Sequence, residues 1–535
     1  MTLSGLLSLA CASMLILSGC GAHTETTIIP PLTWAACPAD VAPAPFQCAT
    51  AKVPLDHAQP LSDQTIQLAV IRRPATNTAQ RLGAIFFNPG GPGGAGTEDL
   101  PGWIDKFPPA LIARFDLISW DPRGIGRSTA VRCFESKAAE DAFKRRMALG
   151  FPVGDAQVQA QAQLQSQFNQ SCLRRAGTLL EHVSTADTAR DLEWLRRAAG
   201  EPEMNYLGVS YGTLLGATYL NLFPDHVRAA VLDGNIDIEA WFADTPLQGT
   251  SLRMNNDIAS GQTLDQFFQQ CARAGHGRCA FADDGASAPA TAAKFQTLAA
   301  RLTARPVALG SVTVTGPSML SLTSNFLFTV HAFGDFPGWT ALGVVLDRLW
   351  TASQAPLPSA PAATPATAAA SDALYESDGA GNAVQCGESP NPRDLTLFPQ
   401  IAAFATARAG LIGQPVAWFD APCSSWPASS ASVYKGPWNA KTPPILVIGN
   451  VYDPSTAYGS SQKTAKLLAN ARLLTVNGYG HTALLNTSTC ANDAESAYFI
   501  NGTLPADGMV CQQDGAPFVE SAQPPNRGVT AQPTP

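Results

Sequence analysis

A regular alternation of strand and helix patterns breaks off in the middle of this chain and resumes more than 200 residues later. The strand patterns are short apolar runs bounded by turn-rich sequence, at residues 83–87, 115–120, 205–209, 227–232, 445–449 and 472–476. Helix patterns lie between them at 185–199, 211–222 and 462–469. This alternation predicts an α/β fold with a mostly parallel, doubly wound sheet. An interruption this long between two core strands predicts an inserted cap domain.

The interrupting region has a mixed pattern, with helix patterns near 263–273 and 339–350. An Ala-, Pro-, Ser- and Thr-rich run at 355–370 has no apolar period and predicts an extended linker. The predicted segments are a first core part at 36–240, a cap at 241–435 with its linker at 353–371, a second core part at 436–515 and a disordered tail at 516–535.

Composition excludes two classes of protein. The 42 acidic residues outnumber the 34 basic ones, and the net charge of −8 leaves no broad basic surface for nucleic acid. A hydrophobic content of 45% can fill a large core and excludes global disorder.

The N-terminus predicts export. An uncharged apolar run at 3–17 ends in Leu17-Ser18-Gly19-Cys20, which resembles a bacterial lipoprotein box. The resemblance implies a signal peptide at 1–19, cleavage before Cys20 and lipid on that cysteine. Residues 20–35 would then form a tether, and the lipid would be the only contact with a bacterial membrane. No Lys or Arg precedes the apolar run, so an uncleaved membrane anchor is the alternative.

The remaining cysteines also fit an exported protein. Apart from Cys11 in the signal segment and Cys20, ten cysteines remain, and no Cys/His cluster among them has zinc-ligand spacing. In an oxidising compartment an even number of this size predicts five disulfides. Their connectivity is not fixed by sequence, but the separations favour neighbours pairing in chain order: Cys37 with Cys48, Cys133 with Cys172, Cys271 with Cys279, Cys386 with Cys423, and Cys490 with Cys511.

One serine has the sequence context of a nucleophile. Gly208-Val209-Ser210-Tyr211-Gly212 matches the pattern Gly-x-Ser-x-Gly, and it stands between a predicted strand and a predicted helix. That context turns a weak motif into a candidate nucleophile elbow, a sharp turn that lifts the Ser210 hydroxyl above the sheet edge. A glycine-rich turn with an exposed serine is the alternative.

A serine nucleophile needs a base and an orienting acid, which follow it in the order Ser, acid, His in this fold. Of seven histidines, His481 alone follows a late core strand. Asp453 directly follows the strand at 445–449 and is the candidate acid. Its rivals Asp420 and Asp493 close no core strand, and Asp493 also comes after the histidine.

The same chemistry needs two N–H groups to hold an oxyanion. Tyr211, which follows the serine, is one candidate donor. The second is expected in the glycine-rich loop at 88–94, after the strand at 83–87, with Gly91 favoured and Gly90 next. The loop lacks the Lys-Ser/Thr ending of a phosphate-binding loop, so we exclude that alternative.

Several segments carry a family resemblance: the loop at 88–94, Asp121-Pro122-Arg123-Gly124, Thr185-Ala186-Asp187, the motif at 208–212, Val231-Leu232-Asp233-Gly234, Asp453-Pro454, Gly480-His481 and the region from Cys423 to Cys511. Together they resemble the secreted tripeptidyl-aminopeptidase branch of the proline-iminopeptidase-like serine peptidases, over roughly residues 53–511. The resemblance implies an α/β-hydrolase core, a helical cap and removal of short peptides from free N-termini. It also implies acidic cap residues that hold the substrate ammonium, for which Glu388 is the candidate and a solvated surface glutamate the alternative.

The sequence therefore predicts an exported serine exopeptidase that uses Ser210, His481 and Asp453, acts on peptides and needs no metal or organic cofactor. A carboxylesterase or lipase with the same three residues is one alternative. A catalytically silent lipoprotein that only binds is another. The sequence leaves the oligomeric state open.

Overall fold

The computed structural model describes residues 29–245, 247–310, 312–354, 375 and 377–519. The predicted signal peptide and Cys20 lie outside the described residues, together with most of the tether and of the linker and the tail from residue 520.

The core is a ten-stranded sheet, and a separate two-stranded hairpin lies in the insertion. The strands are β1 (Ala35–Ala36), β2 (Gln47–Pro54), β3 (Thr65–Arg73), β4 (Gly83–Asn88), β5 (Phe115–Trp120), β6 (Met204–Val209), β7 (Val227–Asp233), β8 (Val307–Leu309), β9 (Val312–Val314), β10 (Ile445–Tyr452), β11 (Ala471–Tyr479) and β12 (Val510–Gln512). The large sheet has the order β1-β2-β3-β5-β4-β6-β7-β10-β11-β12 and is parallel from β5 to β12.

Helices precede, fill and follow the insertion between β7 and β10. Before it lie α1 (Gly96–Trp103), α2 (Pro109–Arg114), α3 (Lys137–Lys144), α4 (Asp155–Ala176), α5 (Thr185–Ala198) and α6 (Tyr211–Leu222). Within it lie α7 (Ile238–Phe242), α8 (Thr250–Arg253), α9 (Asn256–Ala274), α10 (Ala288–Ala304), α11 (Gly316–Phe326), α12 (Gly338–Gln354), α13 (Asp378–Glu388), α14 (Phe398–Ala409) and α15 (Gly413–Phe419). After it lie α16 (Tyr458–Leu467) and α17 (Thr489–Asn501).

The sheet is covered on both faces, which explains its continuous apolar strands. Every residue of β4, β5 and β6 is buried. One face packs with Leu192 and Leu214 of α5 and α6, and the other with Leu111 and Phe499 of α2 and α17. This doubly wound arrangement with a mainly helical cap confirms the predicted fold class.

The inserted helices have an apolar core of their own, which contains Phe267, Trp339 and Phe398. Val158 of α4 belongs to the same cluster, although α4 precedes the insertion in the chain. Phe518 is also buried there, with its ring 5.7 Å from that of Phe267. Phe518 therefore packs against the cap although it lies in the segment predicted as a tail from residue 516, and residues 520–535 of that segment lie outside the described residues.

The structure joins the ten cysteines in chain order, as their separations favour. The bonds are Cys37–Cys48, Cys133–Cys172, Cys271–Cys279, Cys386–Cys423 and Cys490–Cys511. Within the described ranges, no helix combines the length and the hydropathy that a membrane crossing requires.

Candidate active site

Ser210 occupies a strained turn at the carboxyl end of β6. Its backbone has φ 57° and ψ −128°, and α6 begins at the next residue. A β-carbon on Gly208 would overlap Gly212 O, and one on Gly212 would lie 2.7 Å from Asn88 O. Only glycine therefore fits on either side, and the turn holds the half-buried Ser210 at the sheet edge.

Asp453 and His481 form a buried pair. His481 Nδ1 lies 2.9 Å from Asp453 Oδ1. The His481 side chain is 5% exposed and that of Asp453 is 0% exposed. Asp453 also accepts hydrogen bonds from the N–H groups of Ser455, Thr456 and Thr482. Burial alone would raise the pKa of Asp453, but His481 and the N–H groups of Thr456 and Ser455 outweigh burial and hold the pKa below its ordinary value. Asp453 is therefore ionised and fixes the tautomer that leaves Nε2 free to accept a proton.

Asp233, the last residue of β7, connects the serine turn to the histidine loop. Its backbone oxygen accepts the Ser210 N–H at 3.0 Å. Its carboxylate accepts the N–H groups of Ala483 and Leu484, at 3.0 and 2.8 Å. Burial, offset in part by these donors, raises the pKa of Asp233 to about 6. One residue thus places Ser210 and the loop of His481 at the same sheet edge.

The cap holds the histidine loop from its other side. The His481 N–H donates to Phe328 O at 2.7 Å, and the Phe328 ring meets the imidazole edge-on at 5.0 Å. Asn486 Nδ2 donates to both Phe328 O and His481 O, while its Oδ1 accepts the Val330 N–H. The position of the imidazole consequently depends on the cap.

The glycine-rich loop lies against the serine, as the oxyanion prediction requires. A β-carbon on Gly90 would lie 2.8 Å from Ser210 Cβ and 3.2 Å from the Tyr211 nitrogen. The Gly90 N–H is bound by Asn88 Oδ1 at 3.1 Å. Among the hydrogen bonds of the described residues, none uses the N–H of the exposed Gly91. Gly91 and Tyr211 therefore stay the candidate donors.

Glu388, the predicted ammonium holder, lies in a buried joint between core and cap. It is 6% exposed and accepts hydrogen bonds from Thr185 and Trp241. The alternative of a solvated surface glutamate is therefore wrong. The carboxylate oxygens already accept hydrogen bonds from groups of the protein itself. The rival acids also have other places: Asp420 is buried in the cap against Ser251, and Asp493 is exposed on α17.

Two supporting residues, Asn450 and Asn486, are missing from the predicted site, and Asp233 appears there only within a family motif. Asn450 Nδ2 donates to Gly480 O and Thr482 O, on both sides of His481. Asp233 and Asn450 lie near the carboxyl ends of core strands. The same position in the sequence pattern points to Asp453, so it could also have indicated these two residues. Asn486 carries no comparable signal. In the described part of the chain, no three His, Cys, Asp or Glu residues are arranged to hold a metal ion.

The sequence is also similar to those of known hydrolases and peptidases. Residues 83–278 match the family model of the alpha/beta hydrolase fold, and residues 409–511 match that of the TAP-like proteins. The chain is 29% identical to the tripeptidyl aminopeptidase of Streptomyces lividans, over 91% of this chain and 87% of that protein. Carboxylesterase B of Mycobacterium tuberculosis is 33% identical, over 87% and 86%. Serine protease Hip1 of the same species is 28% identical, over 93% and 94%.

The fold and the serine turn thus define a serine hydrolase with an α/β-hydrolase core. Within that class, the chain belongs to the TAP-like α/β-hydrolase serine peptidases.

Proposed function

We propose that this protein is an exported serine exopeptidase that releases short peptides, tripeptides foremost, from free N-termini. One observation carries the proposal. The serine turn, the Asp453–His481 pair and the glycine loop meet at one sheet edge, in a chain similar to a tripeptidyl aminopeptidase over 91% of its length.

In the proposed mechanism, His481 Nε2 accepts the hydroxyl proton as Ser210 Oγ attacks the scissile carbonyl carbon. Asp453 stabilises the imidazolium, and the N–H groups of Gly91 and Tyr211 hold the oxyanion. The imidazolium then gives its proton to the departing amine as the C–N bond breaks. His481 next activates a water molecule, which hydrolyses the acyl-enzyme and frees the short peptide.

Carboxylates beside the glycine loop support the requirement for a free N-terminus. A β-carbon on Gly94 would lie 3.2 Å from Asp99 Oδ2. Burial, followed by the charges of Glu98, Asp121 and Asp335, raises the pKa of Asp99 to about 7. A substrate ammonium next to Asp99 would offset this repulsion between like charges.

The test compares chromogenic amides of di- and tripeptides, each with a free and with an acetylated N-terminus. The free tripeptidyl amide is expected to have the highest kcat/KM, and Ser210→Ala serves as the background control. Equal cleavage of free and acetylated peptides would overturn the requirement for a free amine.

A carboxylesterase is the second candidate, since Carboxylesterase B is 33% identical over most of both chains. Short-chain p-nitrophenyl esters assayed beside the peptides distinguish the two. Turnover of esters alone would favour the esterase.

Export and lipid anchoring belong to the same proposal. Five disulfides support an oxidising compartment. Mass spectrometry of the mature protein is expected to find lipid on Cys20, and Cys20→Ala should release the protein from membranes. A mature N-terminus elsewhere, without lipid, would contradict the anchor.

A further inference from the structure

Glu388 is a buried carboxylate whose surroundings differ from those of a substrate-binding group. It is the last residue of α13, in the cap. Its Oε2 accepts the Thr185 N–H at 2.9 Å, and its Oε1 accepts the Thr185 hydroxyl at 2.6 Å and the Trp241 indole N–H at 3.0 Å. All three donors belong to the protein, so the carboxylate joins α13 to the first turn of α5 and to α7.

The chain of hydrogen bonds continues from Glu388 to the residue after Ser210. Thr185 Oγ1 lies 2.6 Å from the Tyr211 hydroxyl. When Glu388 is ionised, the single Thr185 hydroxyl proton goes to Glu388, and Tyr211 then donates to Thr185. The Tyr211 ring also packs on Trp241, with ring centres 5.8 Å apart. Both partners of the Tyr211 side chain are thus themselves held by Glu388.

We propose that Glu388 is a positioning residue, which acts through Thr185 and Trp241 to fix Tyr211 and with it the serine turn and the oxyanion site. The inference rests on the proposed role of Ser210 as the nucleophile. It replaces the expectation that Glu388 binds the substrate ammonium.

The positioning role makes activity depend on the ionisation of Glu388. Burial, opposed by the Thr185 and Trp241 donors, raises the pKa of Glu388 to about 7. Among the titratable groups around it, the charge of Asp187 on α5 raises the pKa of Glu388 further, and Glu388 in turn raises the pKa of Tyr211 on α6. Only the ionised carboxylate accepts all three hydrogen bonds, so activity should rise as the pH increases through about 7.

The test uses Glu388→Gln, with Asp420→Asn as its matched control. Asp420 is likewise a buried cap carboxylate that accepts an N–H and a hydroxyl from one residue, Ser251, and a third bond from Gln385. Among the hydrogen bonds of the described residues, none joins Asp420 to Tyr211. If Glu388→Gln fails to fold, Tyr211→Phe removes the other end of the same chain of hydrogen bonds.

The readouts are labelling of Ser210 by a fluorophosphonate, kcat and KM for p-nitrophenyl acetate and for free and acetylated peptide amides, and the pH profile. Glu388→Gln is expected to lower labelling and kcat for all substrates by about 10-fold, less than loss of an oxyanion donor. It should also remove the component of the pH profile near 7. Asp420→Asn should lower the melting temperature with unchanged kcat.

Three results would overturn the inference. Glu388→Gln could raise KM for free-amine peptides alone, which would restore the ammonium role. It could label at the rate of the native protein, or Asp420→Asn could lower kcat equally. Failure of the native protein to label at Ser210 would instead overturn the proposed function.

Discussion

The two halves of the candidate site are held in place by different means. Around Ser210 the backbone is packed too tightly for side chains: a β-carbon on Gly90 would lie 2.6 Å from Val209 O. Around His481 the loop is held by side-chain amides and carboxylates, and Asn486 alone donates to three backbone oxygens. Where backbone N–H groups hold the oxyanion, the segments that carry them must lie close to the nucleophile. A catalytic side chain on a loop instead needs polar side chains that hold the loop in place.

The largest effect should come from the reacting group itself. We expect Ser210→Ala to lower kcat by at least about 10⁵-fold on peptides and esters alike, because no other group forms the acyl-enzyme. The melting temperature should stay close to that of the native protein, since the backbone of the turn is retained. Residual activity within 100-fold of the native protein would show that the nucleophile is elsewhere.

In the histidine half, Asp453→Asn should cost about 10⁴-fold in kcat, because the amide no longer holds the required tautomer. The control is Asp493→Asn, whose carboxylate is exposed on α17. Steady-state kinetics of both variants check the assignment. Equal losses in the two variants, or a larger one in Asp493→Asn, would contradict it.

The packed half is expected to fail when volume is added. Gly90→Ala brings a β-carbon within 2.8 Å of Ser210 Cβ, and kcat should fall by about 10²–10³-fold, as when an oxyanion donor is lost. Gly154→Ala is the matched control, because Gly154 also has a positive φ of 78° but no atom within 4 Å of the added carbon. A similar loss of kcat in the two variants would mean that backbone strain, and not the contact with Ser210, causes the loss in Gly90→Ala.

A single anchor of the His481 loop should matter less than Asp453 or Gly90, since several hydrogen bonds hold that loop. Asn486→Ala removes one anchor of the His481 loop, and we expect kcat/KM to fall by about 10-fold, the size of one or two hydrogen bonds. Asn477→Ala removes a comparable amide on the exposed face of β11, where it donates to Gln512, and should be neutral. An unchanged kcat/KM in Asn486→Ala would show that the contacts between Asn486 and the cap do not position His481.

The packed half could be predicted from sequence because its requirements are local. Glycines around Ser210 and at 88–94 mark the turn and the loop, and Pro224 ends the helix that starts at Tyr211. The anchors of the other half are long-range contacts: Asn486 bonds to Phe328, which lies 158 positions away in the chain. No local sequence pattern predicts a hydrogen-bond partner at that distance along the chain.

Helix α4 shows the same limit for the fold. Three of its five buried residues are polar or cysteine side chains, Gln165, Asn169 and Cys172, so it has no apolar period. Asn169 instead bonds to Pro422 O and Ser425, more than 250 positions further on. The burial of Glu388 belongs with these cases, because its donors come from segments that only the folded chain brings together.

The most direct test of the central claim is to identify the residue that a fluorophosphonate modifies in the folded protein. Peptide mass mapping is expected to find one adduct, on Ser210, and none after His481→Ala. An adduct on another residue, or none in the folded native protein, would contradict the account.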